Sequence, residues 1–427
     1  MGSYCISGGH TLSGSITASG NKNAALPCIA ATLLSDEKVV LKNIPEIEDI
    51  KIMIQILEEI GSTVEHLSKG VYSFQTNDIQ GSISPELADR IRASILFAGP
   101  LLSRIGFVKL APPGGDVIGM RRLDTHFLAF EALGGISEID EDQFIRISTQ
   151  GLIGNTIFLD EASVTATENA IMVSVLTPGK TCIKNAASEP HVQDLCNLLS
   201  SMGARIEGIG SNLLRITGVK RLHETEYRIG SDYMEIGSFI GLAAANYGDI
   251  EIKNIQLEHL PMIRLGYKKL GITWVTSGSS IYVPKNQERR ITQDVSGMMA
   301  KLDDAPWPGF PADLLSIITV VATQMQGTIL VHEKMFESRM YFVDMLIRMG
   351  ANIVLCDPHR AVVSGPSPLR GALVTSPDVR AGMALVIAAI SAKGNSEIQN
   401  VYQIERGYED LCGKLQSIGA DITKKNS

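Results

Sequence analysis

The feature that most constrains the fold is a pattern that returns six times: an amphipathic stretch that ends in glycine and runs at once into a short apolar strand. It reads ILEEIGSTVEHL around Gly61, FEALGGISEI around Gly134, LLSSMGARIEGI around Gly203, YKKLGITWV around Gly271, LIRMGANIVL around Gly350 and KLQSIGADI around Gly419. Neighbouring glycines are 68–79 residues apart. Glycine suits the left-handed position that ends a helix and releases the chain into a strand. Such units are too long for a solenoid repeat, and each is large enough for a small α/β unit of its own.

Between these signatures lie Ala-rich or apolar helical segments: Ala24–Leu34, Ala93–Leu102, Glu168–Leu176, Ile236–Ala245, Leu314–Met325 and Arg380–Ala389. Each begins within two residues of a polar, cap-like or charged residue. Turns then lead to the β-type runs VVLKNI, FVKLAP, TCIKNA, IEIKNI, TILVHE and SEIQNV, three of which share an apolar–Lys–Asn ending. Hydrophobic residues make up 44% of the chain but aromatic ones only 5%, so the core must be built from Ala, Val, Ile, Leu and Met. Helices apolar on every side are expected to be buried, inside the sheets. A chain of 427 residues is too long for one typical domain. Six units imply two pseudo-symmetric domains of three.

The net charge of −8, with scattered basic residues, argues against a nucleic-acid partner. No apolar run is long enough for a membrane span, and MGSYCISGGH is not a signal peptide. A cytoplasmic protein is expected. The six cysteines form no CxxC pair and read as reduced core residues. The eight histidines include no HExxH or HxxxH, so no metal site is expected.

The loop Ala111–Leu123, APPGGDVIGMRRL, has the marks of a lid. Its prolines and glycines exclude helix and strand. Asp116 and the pair Arg121 and Arg122 put a carboxyl beside cations on a Gly-hinged segment, which suits an anionic substrate.

Nine motifs, in order, carry a resemblance that spans essentially the whole chain. They are SGNKNAALP (Ser19–Pro27), RASILFAGPLL (Arg92–Leu102), PPGGDVIGMRRLDTHF (Pro112–Phe127), ATEN (Ala166–Asn169), NAASEP (Asn185–Pro190), PGFPAD (Pro308–Asp313), ESRM (Glu337–Met340), DVRAG (Asp378–Gly382) and IERGYE (Ile404–Glu409). With them the chain resembles the enolpyruvyl transferases, in the branch that acts on a UDP-sugar. The resemblance implies the two-domain inside-out α/β barrel with six repeats, three per domain. It places one domain at 1–21 plus 231–427 and the other at 22–230, with the active site in the cleft between them. It implies transfer of the enolpyruvyl group of phosphoenolpyruvate to the 3′-hydroxyl of UDP-N-acetylglucosamine, the first committed step of peptidoglycan synthesis. Phosphate leaves, by addition and elimination through a tetrahedral intermediate. No cofactor, nucleic acid, membrane or obligatory protein partner is implied.

Such chemistry needs cations for phosphate and carboxylate, an acid for C3 of the enol and a base for the hydroxyl. The resemblance assigns Asp116, Asp313 and Lys22 as catalytic, Asp116 being the acid and Asp313 the base. Lys22, Asn23, Arg121, Arg339, Arg380 and Arg406 match phosphoenolpyruvate-binding positions. Asn23, Arg92, Arg121, Arg122, Leu123, Asp124, Thr125, Ser163, Val164, Asp313 and Met335 match positions that hold the UDP-sugar, and Glu189 matches a further site position. Read from the sequence alone, Asp313 is an N-cap, Arg380 a partner of nearby Asp378, and Glu189 a helix N-terminal acid.

The chain also departs from the family. Asp116 stands where most members have the cysteine that fosfomycin alkylates. Arg122 replaces the usual Pro, and Glu161 an often-present Lys. The last two exchanges leave open an acceptor such as UMP, and a non-catalytic sugar-nucleotide-binding paralogue is the second alternative.

Overall fold

The computed structural model describes residues 2–114, 122–293 and 295–425. Chain contacts divide them into two units, one of residues 2–19 and 231–425, the other of 20–114 and 122–230. The chain therefore passes from one unit to the other after Ser19 and returns after Gly230. Each unit has its own hydrophobic core.

One repeat illustrates the plan. Strand Thr156–Phe158 leads into helix Val164–Ser174, and strand Lys180–Lys184 then pairs parallel to the first. Helix Pro190–Ser201 follows, ends near Gly203, and the antiparallel strands Arg205–Glu207 and Leu213–Thr217 complete a four-stranded sheet. Five sheets share this plan of one parallel and two antiparallel pairings. In the last of them the outer pair comes from opposite ends of the chain, Ser3–Gly8 against Asp421–Lys425. In the sixth sheet three strands are joined by a lone parallel bridge, Ser82 to Lys109, where the others have a fourth strand. All six signature glycines take φ between 73° and 113°, the left-handed region expected of them.

The Ala-rich helices lie inside. In the unit of residues 20–230 they are Lys22–Ala31, the 3₁₀ turn Arg92–Phe97 continued by Ala98–Ile105, and Val164–Ser174. In the other they are Tyr233–Ala245, Leu315–Ala322 and Val379–Ser391, packed on one another. All thirteen residues of Tyr233–Ala245 and all eight of Leu315–Ala322 are buried. Close approach explains the small residues: a Cβ at Gly237 would lie 2.6 Å from Leu314, and one at Gly241 2.5 Å from Ile317. The cysteines are free thiols, but not all are core residues as expected. Cys28 and Cys196 are buried, whereas Cys356 faces solvent on the outer strand Asn352–Asp357. Among the described residues no helix is long and apolar enough to cross a membrane.

The recurring Asn now has a physical reason. Asn43, Asn185, Asn254 and Asn400 all sit at φ of 58–61°, one residue past a sheet strand. Each turns its Nδ2 back to a main-chain carbonyl just beyond the parallel neighbour strand. The acceptors are Ile229, Leu159 and Ala18 at 2.9 Å and Ser376 at 3.0 Å. The side chain thus latches two strand ends where the chain turns, and Asn tolerates the left-handed backbone. Replacing Asn185 by Ala removes the latch and strains the backbone. Denaturant unfolding should show a loss of about 1.5–3 kcal/mol, and Asn185→Gly, which relieves only the strain, should lose less.

Candidate active site

Of the residues singled out in the sequence, Lys22, Asn23, Arg92, Ser163, Val164, Asp313 and Arg380 lie at the starts of the buried helices. Lys22 opens helix Lys22–Ala31, whose cap is Asn21: its Oδ1 accepts from the Asn23 N–H at 2.9 Å. Lys22 is itself buried, and its Nζ lies 2.5 Å from the carboxylate of Asp49. Asp49 is only 2% exposed and comes from the first turn of helix Glu48–Ile60. By its position it is an ordinary acid at a helix start. Nothing local reveals that it holds Lys22 in place.

A second group surrounds the start of Val164–Ser174. Ser163 caps that helix, accepting from the Ala166 N–H. Arg92 opens its 3₁₀ turn and donates from Nη2 to the carbonyl of Arg122 at 3.0 Å. Thr125 is buried at the start of helix Asp124–Ala132 and donates to Asp160 at 2.6 Å. Next to it, buried His126 is held neutral, its pKa lowered to about 3 by burial and by the cation of Arg92. His126 Nδ1 meets Asn169 Nδ2 at 3.0 Å and Nε2 meets Thr165 Oγ1 at 3.1 Å, a pattern that assigns the proton to Nε2. Asn169 also accepts from Gly99 N–H at 2.8 Å and donates to the Ile95 carbonyl at 2.9 Å. The ATEN motif is thus a clamp between two buried helices. Arg92, Arg122, Leu123, Asp124, Thr125, Ser163 and Val164 are brought to one neighbourhood, with Arg122 and Asp124 exposed. Glu161 is exposed nearby. Glu189 precedes helix Pro190–Ser201 without a side-chain cap bond. Burial first, then the charge of Glu189, pushes the buried Glu168 carboxyl well above its ordinary range.

The third group lies in the other unit. Asp313 is not an N-cap, as its sequence context suggested. Pro311 precedes the 3₁₀ turn Ala312–Leu314, and Asp313 sits within that turn. Its carboxylate instead receives Arg339 Nη1 at 2.7 Å and Arg380 Nε at 3.1 Å. Arg380 therefore pairs with Asp313, while Asp378 caps helix Val379–Ser391 through the N–H groups of Arg380 and Ala381. Both guanidiniums are buried; Arg339 stacks over Phe336 at 4.6 Å and Arg380 lies 5.2 Å from the Tyr408 ring. Burial alone would raise the Asp313 carboxyl. Arg339 and Arg380 together hold it well below the usual carboxylate range instead. Buried Arg406 donates to Gln403 Oε1 at 2.9 Å, and Met335 is exposed. Asp116 and Arg121 lie outside the described residues. Among the described residues no cluster of His, Cys, Asp and Glu is arranged to hold a metal ion.

Comparison with known proteins bears on the family and the fold. A family model described as EPSP synthase (3-phosphoshikimate 1-carboxyvinyltransferase) matches residues 6–415. The chain is 59% identical over 426 residues to the UDP-N-acetylglucosamine 1-carboxyvinyltransferase of Treponema denticola, covering all of both proteins. It is 47% identical over 433 residues to the enzyme of that name from Bacteroides thetaiotaomicron, covering 99% of this chain and all of the relative. Among solved structures it resembles the enolpyruvyl transferase NikO from Streptomyces tendae, with a TM-score of 0.87 at 20% identity over 100% of this chain and 99% of that one. It resembles EPSP synthase from Acinetobacter baumannii at a TM-score of 0.75 and 14% identity, over all of both chains. The helices-inside, sheets-outside architecture, the six repeats and the full-length identity lead to one conclusion: this chain belongs to the enolpyruvyl transferase (EPSP synthase) family.

Proposed function

We propose that this chain transfers the enolpyruvyl group of phosphoenolpyruvate to the 3′-hydroxyl of UDP-N-acetylglucosamine, releasing phosphate. The observation that carries the reading is identity of 47–59% over whole chains with relatives whose names state that acceptor. It favours the UDP-sugar over bare UMP, because the likeness to NikO, at 20% identity, speaks to the fold alone. Retention of Lys22, Asp313, Arg339, Arg380 and Arg406 favours catalysis over a silent binding role. In this reading the protein works in the cytoplasm and commits the nucleotide sugar to peptidoglycan.

The chemistry divides between the groups described above. Lys22, held by Asp49, and the guanidiniums of Arg121, Arg339, Arg380 and Arg406 bind the phosphate and carboxylate of phosphoenolpyruvate. Asn23 contacts the substrates from the first turn of its helix. The start of Val164–Ser174, with Arg92, Arg122 and Thr125, receives the uridine diphosphate; a helix N-terminus with free N–H groups favours such an anion. Met335 meets the sugar. Asp116 delivers a proton to C3 while the sugar oxygen adds to C2, and Asp313 accepts the hydroxyl proton. Loss of a C3 proton and of phosphate then restores the double bond. Held between two arginines, Asp313 is a weak base. The substrate's anionic groups compete for those same arginines, so binding loosens their hold and raises its basicity where the hydroxyl arrives.

Phosphate release should require phosphoenolpyruvate with UDP-N-acetylglucosamine. Release with UMP instead would transfer the assignment to the alternative acceptor, and none with either would favour the silent paralogue. Asp313→Asn should lower kcat by about 10²–10⁴-fold in that assay. It should also cost about 2–4 kcal/mol of stability, seen as a lower Tm, because two buried guanidiniums lose their carboxylate. The Asp313 ion pairs stabilise the fold above the unfolded carboxyl pKa of about 3.9, and that contribution fades as pH falls toward the depressed folded value.

A carboxylate is a far poorer nucleophile toward an epoxide than a thiolate. Turnover should therefore persist in fosfomycin, and Asp116→Cys should confer time-dependent inactivation with a mass adduct on the new thiol. Asp116→Asn should lose turnover, and full activity in that variant would remove Asp116 from the mechanism.

A further inference from the structure

Two of the six repeats lack the Asn latch, and one of them replaces it in a telling way. In four repeats, the residue after the parallel edge strand donates its N–H to the last residue of the neighbouring strand. These bonds are Ile229 to Lys42, Leu159 to Lys184, Ala18 to Lys253 and Ser376 to Gln399. The next residue of that neighbouring strand is in each case the Asn that closes the latch. The fifth repeat keeps the main-chain bond, Asp304 N–H to the His332 carbonyl at 3.4 Å. By this register Glu333 occupies the Asn position and Asp304 the position of the latched residue. A neutral amide-to-carbonyl contact is thereby replaced by two carboxyl groups, both 0% exposed.

One oxygen of each is accounted for. Asp304 Oδ1 accepts from the Lys334 N–H at 2.6 Å, and Glu333 Oε1 accepts from the N–H groups of Met335 and Phe336 at 3.0 Å. The other two, Asp304 Oδ2 and Glu333 Oε2, are buried with no hydrogen-bond donor. The carboxyls are within hydrogen-bonding reach of each other. Two such groups cannot both be ionised in a dry site.

We propose that Asp304 and Glu333 share one proton between Oδ2 and Oε2, forming an acid latch that does for this repeat what Asn does for four others. The proton supplies the donor that Asn would have carried. Burial first, then the bond to Asp304, pushes the Glu333 carboxyl up to about 9, in keeping with a proton held through neutrality.

The latch has a position that matters. Glu333 holds the turn carrying Met335 and Phe336, and Arg339 stacks on Phe336 with its Nε 3.9 Å from Glu333 Oε2. Arg339 in turn grips Asp313. Asp304 and Glu333 are thus positioning residues, and this second step rests on the function proposed above. The other charged or titratable groups facing the pair are few. His359 meets the Glu333 carbonyl through Nδ1 at 3.0 Å, His332 lies beside Asp304, and Lys334 directs its ammonium to Asp303 instead. Asp378 acts on Arg339 from its own helix start. When the shared proton leaves at alkaline pH, a second negative charge appears beside Arg339 and draws it from Asp313.

Infrared difference spectra of the full chain test the proton directly. A buried carboxylic-acid C=O band additional to that of Glu168 is expected at neutral pH and appears in the parent-minus-variant difference for Asp304→Asn and Glu333→Gln, whose amides supply a permanent donor. Equilibrium unfolding gives an independent reading. Through this pair the native state should hold one more proton than the unfolded chain from about pH 4.3 to about 9, so the pair's contribution to stability falls as pH rises through that window. Either amide variant should flatten that slope by one proton. In phosphate-release kinetics, kcat/KM of the parent should fall about tenfold per pH unit above about 9. Asp304→Asn should move this limb upward, whereas Asp304→Ala should raise the KM for phosphoenolpyruvate about tenfold with less change in kcat. No acid band lost in the amide variants, with the same unfolding slope in parent and variants, would overturn the latch. The band and slope as expected, with an alkaline limb unchanged in Asp304→Asn, would overturn its hold on Arg339. A protein with the band but no turnover would indict the proposed reaction alone.

Discussion

Three helices with no wet face govern each unit. Because they pack inside their sheets, most of their positions are apolar, and a single glycine can decide how near two helices come. The middle and C-terminal turns have no room for a polar side chain that lacks a partner. Polarity is concentrated at the N-terminal turns, where unsatisfied N–H groups favour caps and anions. Lys22, Arg92, Ser163, Asp313 and Arg380 all lie at such starts. The candidate site is therefore where this architecture permits charge.

The six repeats are alike in plan but not in their helix starts. Asn21, Ser163, Asp232 and Asp378 cap four of the buried helices with their side chains. The second and fifth repeats enter instead through uncapped 3₁₀ turns, Arg92–Phe97 and Ala312–Leu314. The same two repeats lack the Asn latch, with Leu110 and Glu333 at its place. Arg92 and Asp313 thus stand where the ordinary structural devices have been given up. A helix start freed from capping leaves its side chain able to face a ligand or a counter-ion, as Asp313 faces two arginines.

Much of this was legible in the chain. Six glycines at near-regular spacing revealed the repeats, because only a left-handed residue ends a helix and turns at once into a strand. The scarcity of aromatic residues and the Ala-rich runs revealed buried helices. The Lys–Asn endings were visible as a pattern, but their purpose was not, since each amide meets a carbonyl supplied by a strand elsewhere in the sequence. The same blindness explains the misreadings. Asp313 fits a cap by spacing, and Arg380 sits two residues from Asp378, so local reading paired each with its neighbour. The partners that won, Arg339 and Arg380 on one carboxylate, are 26 and 67 residues away from Asp313.

The sequence by itself determined the number and order of the repeats, the caps that begin four of the helices and the identity of the charged residues, because those depend on spacing and local backbone preference. Tertiary structure alone decided what each charge touches. Asp49 holds Lys22, two arginines keep Asp313 ionised, burial and the charge of Arg92 keep His126 neutral, and Glu333 lies beside Asp304. Each of those outcomes depends on burial and on groups distant in the chain, since the free energy of a charge is set by what surrounds it and not by what precedes it.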